Sequence, residues 1–249
     1  LNTKPIVYGL ETGLVPHRFE LVYDVPSACA EMLRAGEVDV ALIPSVEYAR
    51  LDDLCIVPSI SISSFGRVAT VELYYSRTVE EISTVALDTS SRTSVALLKI
   101  LLERRFGLRP EYQAMEPHAE QMLRACDAAL VIGDTTFQID GAINRLDLGE
   151  EWSRWTGLPC TYAFWAGRRG ALSVDEIRQL ILSKEMGVRS LGEIADRGCS
   201  DRNLSRKEIE AYLRENIHYD FGIREEEGLR RFYEEARCLG LIPRMPELR

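Results

Sequence analysis

Between Asp88 and Ser94 the chain sets five hydroxyls and one arginine within seven residues, Asp88-Thr89-Ser90-Ser91-Arg92-Thr93-Ser94. The short apolar run Val85-Ala86-Leu87 precedes them, and an apolar segment of helical length begins at Val95. That order reads as a strand, a hydroxyl-rich turn and a helix. The first turn of a helix carries unpaired N–H groups and the positive end of the peptide dipole. Serine and threonine hydroxyls add donors there and Arg92 adds a full charge, so the turn suits a carboxylate or a phosphate. Hydroxyls at this position also serve simply to cap the helix. Both readings stay open, although five hydroxyls exceed what one cap requires.

Other polar positions fall at the ends of expected strands. Ser45 follows Pro44 at the end of the buried run 38–43, as a ligand contact or as a helix cap. Gly66, Thr70 and the pair Gly133-Asp134 take similar places. Gly133 allows close approach of backbone to a ligand. Asp134 orients the site or caps the next turn, and capping is favoured because its charge would repel an anion. The six cysteines form no CxxC pair and the three histidines stand far apart, so neither set has the spacing of a zinc site. Isolated cysteines in apolar surroundings read as core filler. Trp152 and Trp155, three apart, read as core residues.

Along the chain, a strand is expected over 19–25 (FELVYDV), a helix over 28–35 ended by Gly36, a strand over 38–43 and a short helix over 45–50. The run VATVELYYS alternates and is rich in β-branched residues, so it reads as one long strand. Strands are expected again near 85–87, 111–113 and 128–132, with helices between them. This β-α-β-α-β order is the mark of a parallel sheet with helices on its faces. Past Arg168 the pattern turns helical, with capping boxes expected at Ser173 with Glu176, Ser190 with Glu193 and Ser205 with Glu208. Two α/β lobes follow, one from residues 1–73 with 167–249 and one from 74–166. A ligand in such a layout sits between lobes, near the C-terminal ends of strands.

Composition narrows the partners. The chain has 249 residues, 46% hydrophobic and 28% charged, a globular balance. A net charge of −9 without a long basic run argues against nucleic acid. No apolar stretch approaches the roughly 20 residues of a membrane span, so no membrane partner is expected. No signal peptide is recognisable from Leu1 onward, which points toward the cytoplasm.

Several segments in order resemble one family: LNTKPIVYGLE, VDVALIPSVEYAR, VATVELYYSR, VALDTSSRTSVALLKILLERRFGLRP, AALVIGDTTF and DLGEEWSRWTGLPCTYAFWAGR. The chain is similar over about residues 1–225 to the menaquinone-biosynthesis chorismate dehydratases of the futalosine route. That resemblance implies a two-lobed periplasmic-binding-protein-like fold of type II, with a central cleft and here a helical C-terminal tail. It implies a cytoplasmic enzyme, dehydration of chorismate to 3-[(1-carboxyvinyl)oxy]benzoate, and no metal or organic cofactor. It places Asn2 at the cleft, near the hydroxyl to be eliminated. It also brings Thr70 to the site, where the family often has serine; the threonine methyl restricts χ1. One substrate carboxylate is then expected on the helix start formed by Ser90, Ser91, Arg92, Thr93 and Ser94, with Thr89 beside it; Arg92 either faces that carboxylate or points to solvent. Two other readings remain: a small-carboxylate binding protein of the same fold, and a sister enzyme acting on a futalosine-type substrate.

Overall fold

The computed structural model describes residues 1–88, 91–139, 144–199 and 204–249. Two sheets organise it. In the first, the long strand β9 (Cys160–Arg168) is central. β1 (Val40–Pro44) pairs along one of its sides, while β2 (Leu54–Ile56) and β3 (Ile62–Ser64) pair along it as well, all antiparallel. The second sheet runs β6 (Glu111–Met115), β5 (Thr84–Asp88), β7 (Ala128–Ile132), β4 (Val71–Tyr75) and β8 (Asn144–Asp147). Its β5, β6 and β7 are parallel, and β4 is antiparallel to both β7 and β8. These pairings put β4 wholly in the second sheet and β9 wholly in the first. The chain therefore changes sheets near residues 65–70 and again near 157–159.

Ten α-helices surround the sheets among the described residues: α1 (Lys4–Glu11), α2 (Pro26–Ala35), α3 (Ser45–Tyr48), α4 (Arg92–Ile100), α5 (Ala119–Ala125), α6 (Leu148–Thr156), α7 (Val174–Arg189), α8 (Leu191–Gly198), α9 (Arg206–Ala211) and α10 (Ile223–Cys238). β5, α4, β6, α5 and β7 realise the alternating order expected from the sequence. Residues 171–238 are almost all helical where described.

The segment IVYGLE lies in α1, and its place is set by backbone contact with α7. A Cβ added at Gly187 would lie 2.0 Å from the Pro5 carbonyl oxygen, and one at Gly9 would lie 2.6 Å from Ser183 Cα. Only glycine permits helices to cross this closely. The Ser183 hydroxyl completes the junction, donating to the Ile6 carbonyl at 2.9 Å and accepting from the Leu10 N–H at 3.2 Å. α1 begins two residues after Asn2, so this crossing also fixes where Asn2 sits.

Three local expectations need correction. Residues 19–25 form no strand. Phe19 and Leu21 lean on the core while Val22 and Tyr23 are exposed, and no neighbouring strand among the described residues takes the backbone groups, without which an extended segment is not a ladder. VATVELYYS is a strand only from Val71, because Val68 and Ala69 give their N–H groups to a side chain instead of a partner strand. The boxes at Ser173 and Ser205 form, but Ser190 caps nothing; Glu193 accepts from the Tyr8 hydroxyl at 2.6 Å.

Candidate active site

Thr70 sits where the chain enters the second sheet, and the turn before it is held under strain. Ala69 has φ +64°, in the left-handed region where a side chain is disfavoured. Two groups enforce it. The Asp147 carboxylate accepts from the Val68 N–H at 3.1 Å and the Ala69 N–H at 2.7 Å. The Thr136 hydroxyl reaches the Ala69 carbonyl at 3.1 Å. Asp147 also caps α6, accepting from the Glu150 N–H at 3.0 Å. Burial lifts its carboxyl above the usual carboxylate range, and these three N–H donors oppose the shift. Strain of this kind persists only where its surroundings over-determine it, and it concentrates at functional positions.

The second sheet brings the other predicted groups to the same edge. β5 and β7 run side by side, with Leu87 opposite Leu130, so both end at this edge. Val71 pairs with Ile132, and the Gly133 N–H donates to the Thr70 carbonyl at 2.8 Å. Gly133 takes φ +76°, which glycine alone adopts freely. The main-chain nitrogen of Leu1 lies 3.6 Å from Asp134 Oδ1, so Asn2 is adjacent to the same turn. Thr70, Gly133, Asp134 and Asn2 therefore converge from three separate parts of the sequence.

Tyr212, from the helical tail, joins them. Its hydroxyl lies 2.9 Å from Thr70 Oγ1 and also interacts with the Asn2 side chain. Burial pushes its phenol above the ordinary value, while the hydrogen bonds from Thr70 and Asn2 pull the other way. It is thus a neutral phenol across the physiological range. Phe137 packs edge-on against its ring at 5.3 Å. Thr70 and Tyr212 are both buried, so their hydrogen bond is shielded from bulk water.

The start of α4 lies against the first sheet's helices. Thr93 Oγ1 is 3.3 Å from Ser45 Oγ and accepts from the Val46 N–H at 3.3 Å. Ser45 donates to the Thr161 carbonyl at 2.7 Å. Ser91, the residue before α4, makes no side-chain bond to the helix N–H groups, and its hydroxyl lies 2.8 Å from that of Ser94. Thr89 and Ser90 lie outside the described residues. Arg92, whose orientation the sequence leaves open, meets Glu31 at 2.8 Å and Glu47 at 3.1 Å. Glu47 is fully buried and also holds Arg34 and Arg50.

Two contributors escaped the sequence reading. Asp147, three residues before Glu150, has the spacing of a helix cap, but its hold on Val68 and Ala69 has no local sign. Tyr212 carried none, because its partners are more than a hundred residues away. Trp152 is buried, donates to the Pro159 carbonyl at 3.0 Å and packs edge-on with Trp155, as core residues do. A groove of about 580 Å³ opens elsewhere, between α7 and residues 213–220, with the Lys184–Asp220 ion pair on its wall. None of the predicted site residues lines it.

Residues 1–237 match a protein family described as menaquinone biosynthesis. The chain is 30% identical over 243 residues to the chorismate dehydratase of Thermus thermophilus, covering 90% of this chain and 88% of that one. It is 26% identical to the chorismate dehydratase of Campylobacter jejuni, covering 97% and 96%. Among solved structures it is similar to a protein of Archaeoglobus fulgidus, with TM-score 0.74, 21% identity and 97% and 95% coverage. It is also similar to the periplasmic aliphatic sulphonate binding protein of Escherichia coli, with TM-score 0.70, 15% identity and 98% and 91% coverage. These two likenesses show the periplasmic-binding-protein-like fold. No helix among the described residues is long and apolar enough to cross a membrane.

Proposed function

The chain belongs to the menaquinone-biosynthesis family that includes chorismate dehydratases, and from that membership we infer that it removes water from chorismate to give 3-[(1-carboxyvinyl)oxy]benzoate. It is a carbon–oxygen lyase on this reading, with a free small molecule as substrate and the cytoplasm as its compartment. The observation that carries the site assignment is that Thr70, through its carbonyl, and Leu1, next to Asn2, both meet the Gly133-Asp134 turn, at the strand-end edge where ligands of such folds bind.

The reaction breaks a C–H bond at C3 and the C–O bond at C4, forms a C–C double bond, and leaves an aromatic ring and water. Aromatisation supplies the driving force, so the protein has mainly to orient the ring and assist two proton movements. Asn2 and Thr70 are feeble bases at neutral pH but good hydrogen-bond partners. We assign them to the departing oxygen, and the C3 proton to one of the substrate's own carboxylates. The start of α4 supplies N–H groups and helix dipole for a carboxylate. With Arg92 occupied by Glu31 and Glu47, that backbone edge carries more of the role than the sequence suggested.

The test is to mix the purified protein with chorismate and follow the ultraviolet band of the benzoate product. Turnover that falls sharply in Asn2→Ala and Thr70→Val supports the assignment. Tight binding without turnover would make the chain a small-carboxylate binding protein, and no binding would point to a different substrate.

A further inference from the structure

We propose that Tyr212 is a positioning residue for the dehydration: its buried hydroxyl fixes the Thr70 hydroxyl, and the Asn2 amide beside it, in the orientation that meets the departing oxygen. This rests on the dehydratase reading and extends it to a residue of the helical tail.

Thr70 and Tyr212 each carry one hydroxyl proton, and their oxygens are 2.9 Å apart, so only one proton lies between them. If Thr70 donates, its proton turns inward and only lone pairs face a ligand. If Tyr212 donates, the Thr70 proton is free to turn outward, toward a leaving hydroxide. An Asn2 amide N–H turned to the Tyr212 oxygen, the sense in which Asn2 acts on that phenol, would favour the second arrangement, because the phenol proton is then directed to Thr70. The methyl of Thr70 restricts χ1, so one good hydrogen bond suffices to settle the side chain.

The seat of the ring is built for constancy. Phe137 meets it edge-on at 5.3 Å, and Tyr212 is 4% exposed. It begins a π-helical turn, Tyr212–Asn216, that continues α9, a widened turn that recurs at functional sites. A phenylalanine would fill this space without a buried hydroxyl to satisfy. The retained hydroxyl points to a task that the ring alone does not perform.

Tyr212→Phe tests this, with Tyr219→Phe as control. Tyr219 is also buried, and its hydroxyl has no hydrogen-bond partner among the described residues. Steady-state kinetics on chorismate and melting temperature are read for both. Tyr212→Phe is expected to lower kcat by about tenfold or more, with KM and melting temperature nearly unchanged, while Tyr219→Phe keeps its kcat. In the Thr70→Val background the same Tyr212→Phe change is expected to have little further effect, since its target hydroxyl is gone. An unchanged kcat, an equal loss in Tyr219→Phe, or a full additional loss in the Thr70→Val background would each overturn the proposal. If the unaltered protein is inactive on chorismate, the dehydratase reading fails first and the proposal with it.

Discussion

The Thr93 hydroxyl lies 3.3 Å from the Ser45 hydroxyl, so the first turn of α4, which follows a strand of the second sheet, touches the first turn of α3, which follows a strand of the first. Around this contact Arg92 reaches across to Glu31 and Glu47. The first turn of α4 is therefore a seam between the two halves as well as a helix start.

Arg92 consequently supports stability more than binding. Glu47 is fully buried and keeps Arg34 and Arg50 when Arg92 is removed. Arg92→Ala is expected to destabilise by about 1–2 kcal/mol, seen as a lower melting temperature, with KM for chorismate unchanged. A severalfold rise in KM at unchanged stability would place the guanidinium at the substrate.

The α1–α7 crossing leaves no room at Gly187, where an added Cβ would meet the Pro5 carbonyl oxygen at 2.0 Å. Backbone must move to accept it, so Gly187→Ala is expected to cost about 3 kcal/mol. Because α1 anchors Asn2, kcat should fall too. Melting curves and turnover measured side by side check this; a neutral Gly187→Ala would mean that the helices separate freely.

Asp147→Ala removes the acceptor of three backbone N–H groups, those of Val68, Ala69 and Glu150. A loss of about 2–4 kcal/mol is expected from the lost cap and the buried donors left unpaired. The strained Ala69 backbone should relax and carry Thr70 out of register, lowering kcat in the fraction that remains folded. Retained kcat with lowered stability would separate the cap from the site.

Asp127 gives a pH dependence. Hydrogen bonds from the Ser83 and Thr84 hydroxyls, and then from their N–H groups, hold its carboxyl at about 2 against an ordinary 3.8. Its folded-state value is depressed, so the stabilisation is complete above about 3.8 and is lost as pH falls through about 2. Asp127→Asn should therefore be less stable than the unaltered chain at neutral pH, with the gap closing on acidification toward pH 2. Urea melts at several pH values read this, and a gap independent of pH would show that the charge is immaterial.

What the sequence disclosed follows from the range of each interaction. The alternation of short strands and helices over 85–132, and the boxes at Ser173 and Ser205, are local signals that the structure reproduces. The strand expected over 19–25 failed because a strand exists only with a partner, which periodicity does not reveal. Arg92 looked like a ligand for an anion because its neighbours in sequence are hydroxyls, whereas its partners in space are Glu31 and Glu47, 61 and 45 residues away. Tyr212 was hidden for the same reason: an aromatic residue on a helical stripe reads as core until folding sets its hydroxyl beside Thr70.

The most direct measurement is a single assay: chorismate with the purified chain, the benzoate absorbance followed in time, and Thr70→Val run alongside. Steady growth of the aromatic band with the unaltered protein, and a slope reduced by about a hundredfold in Thr70→Val at comparable melting temperature, is the expected result. Equal slopes for the two proteins would remove Thr70 and its cluster from the chemistry, and a flat trace for both would contradict chorismate dehydration itself.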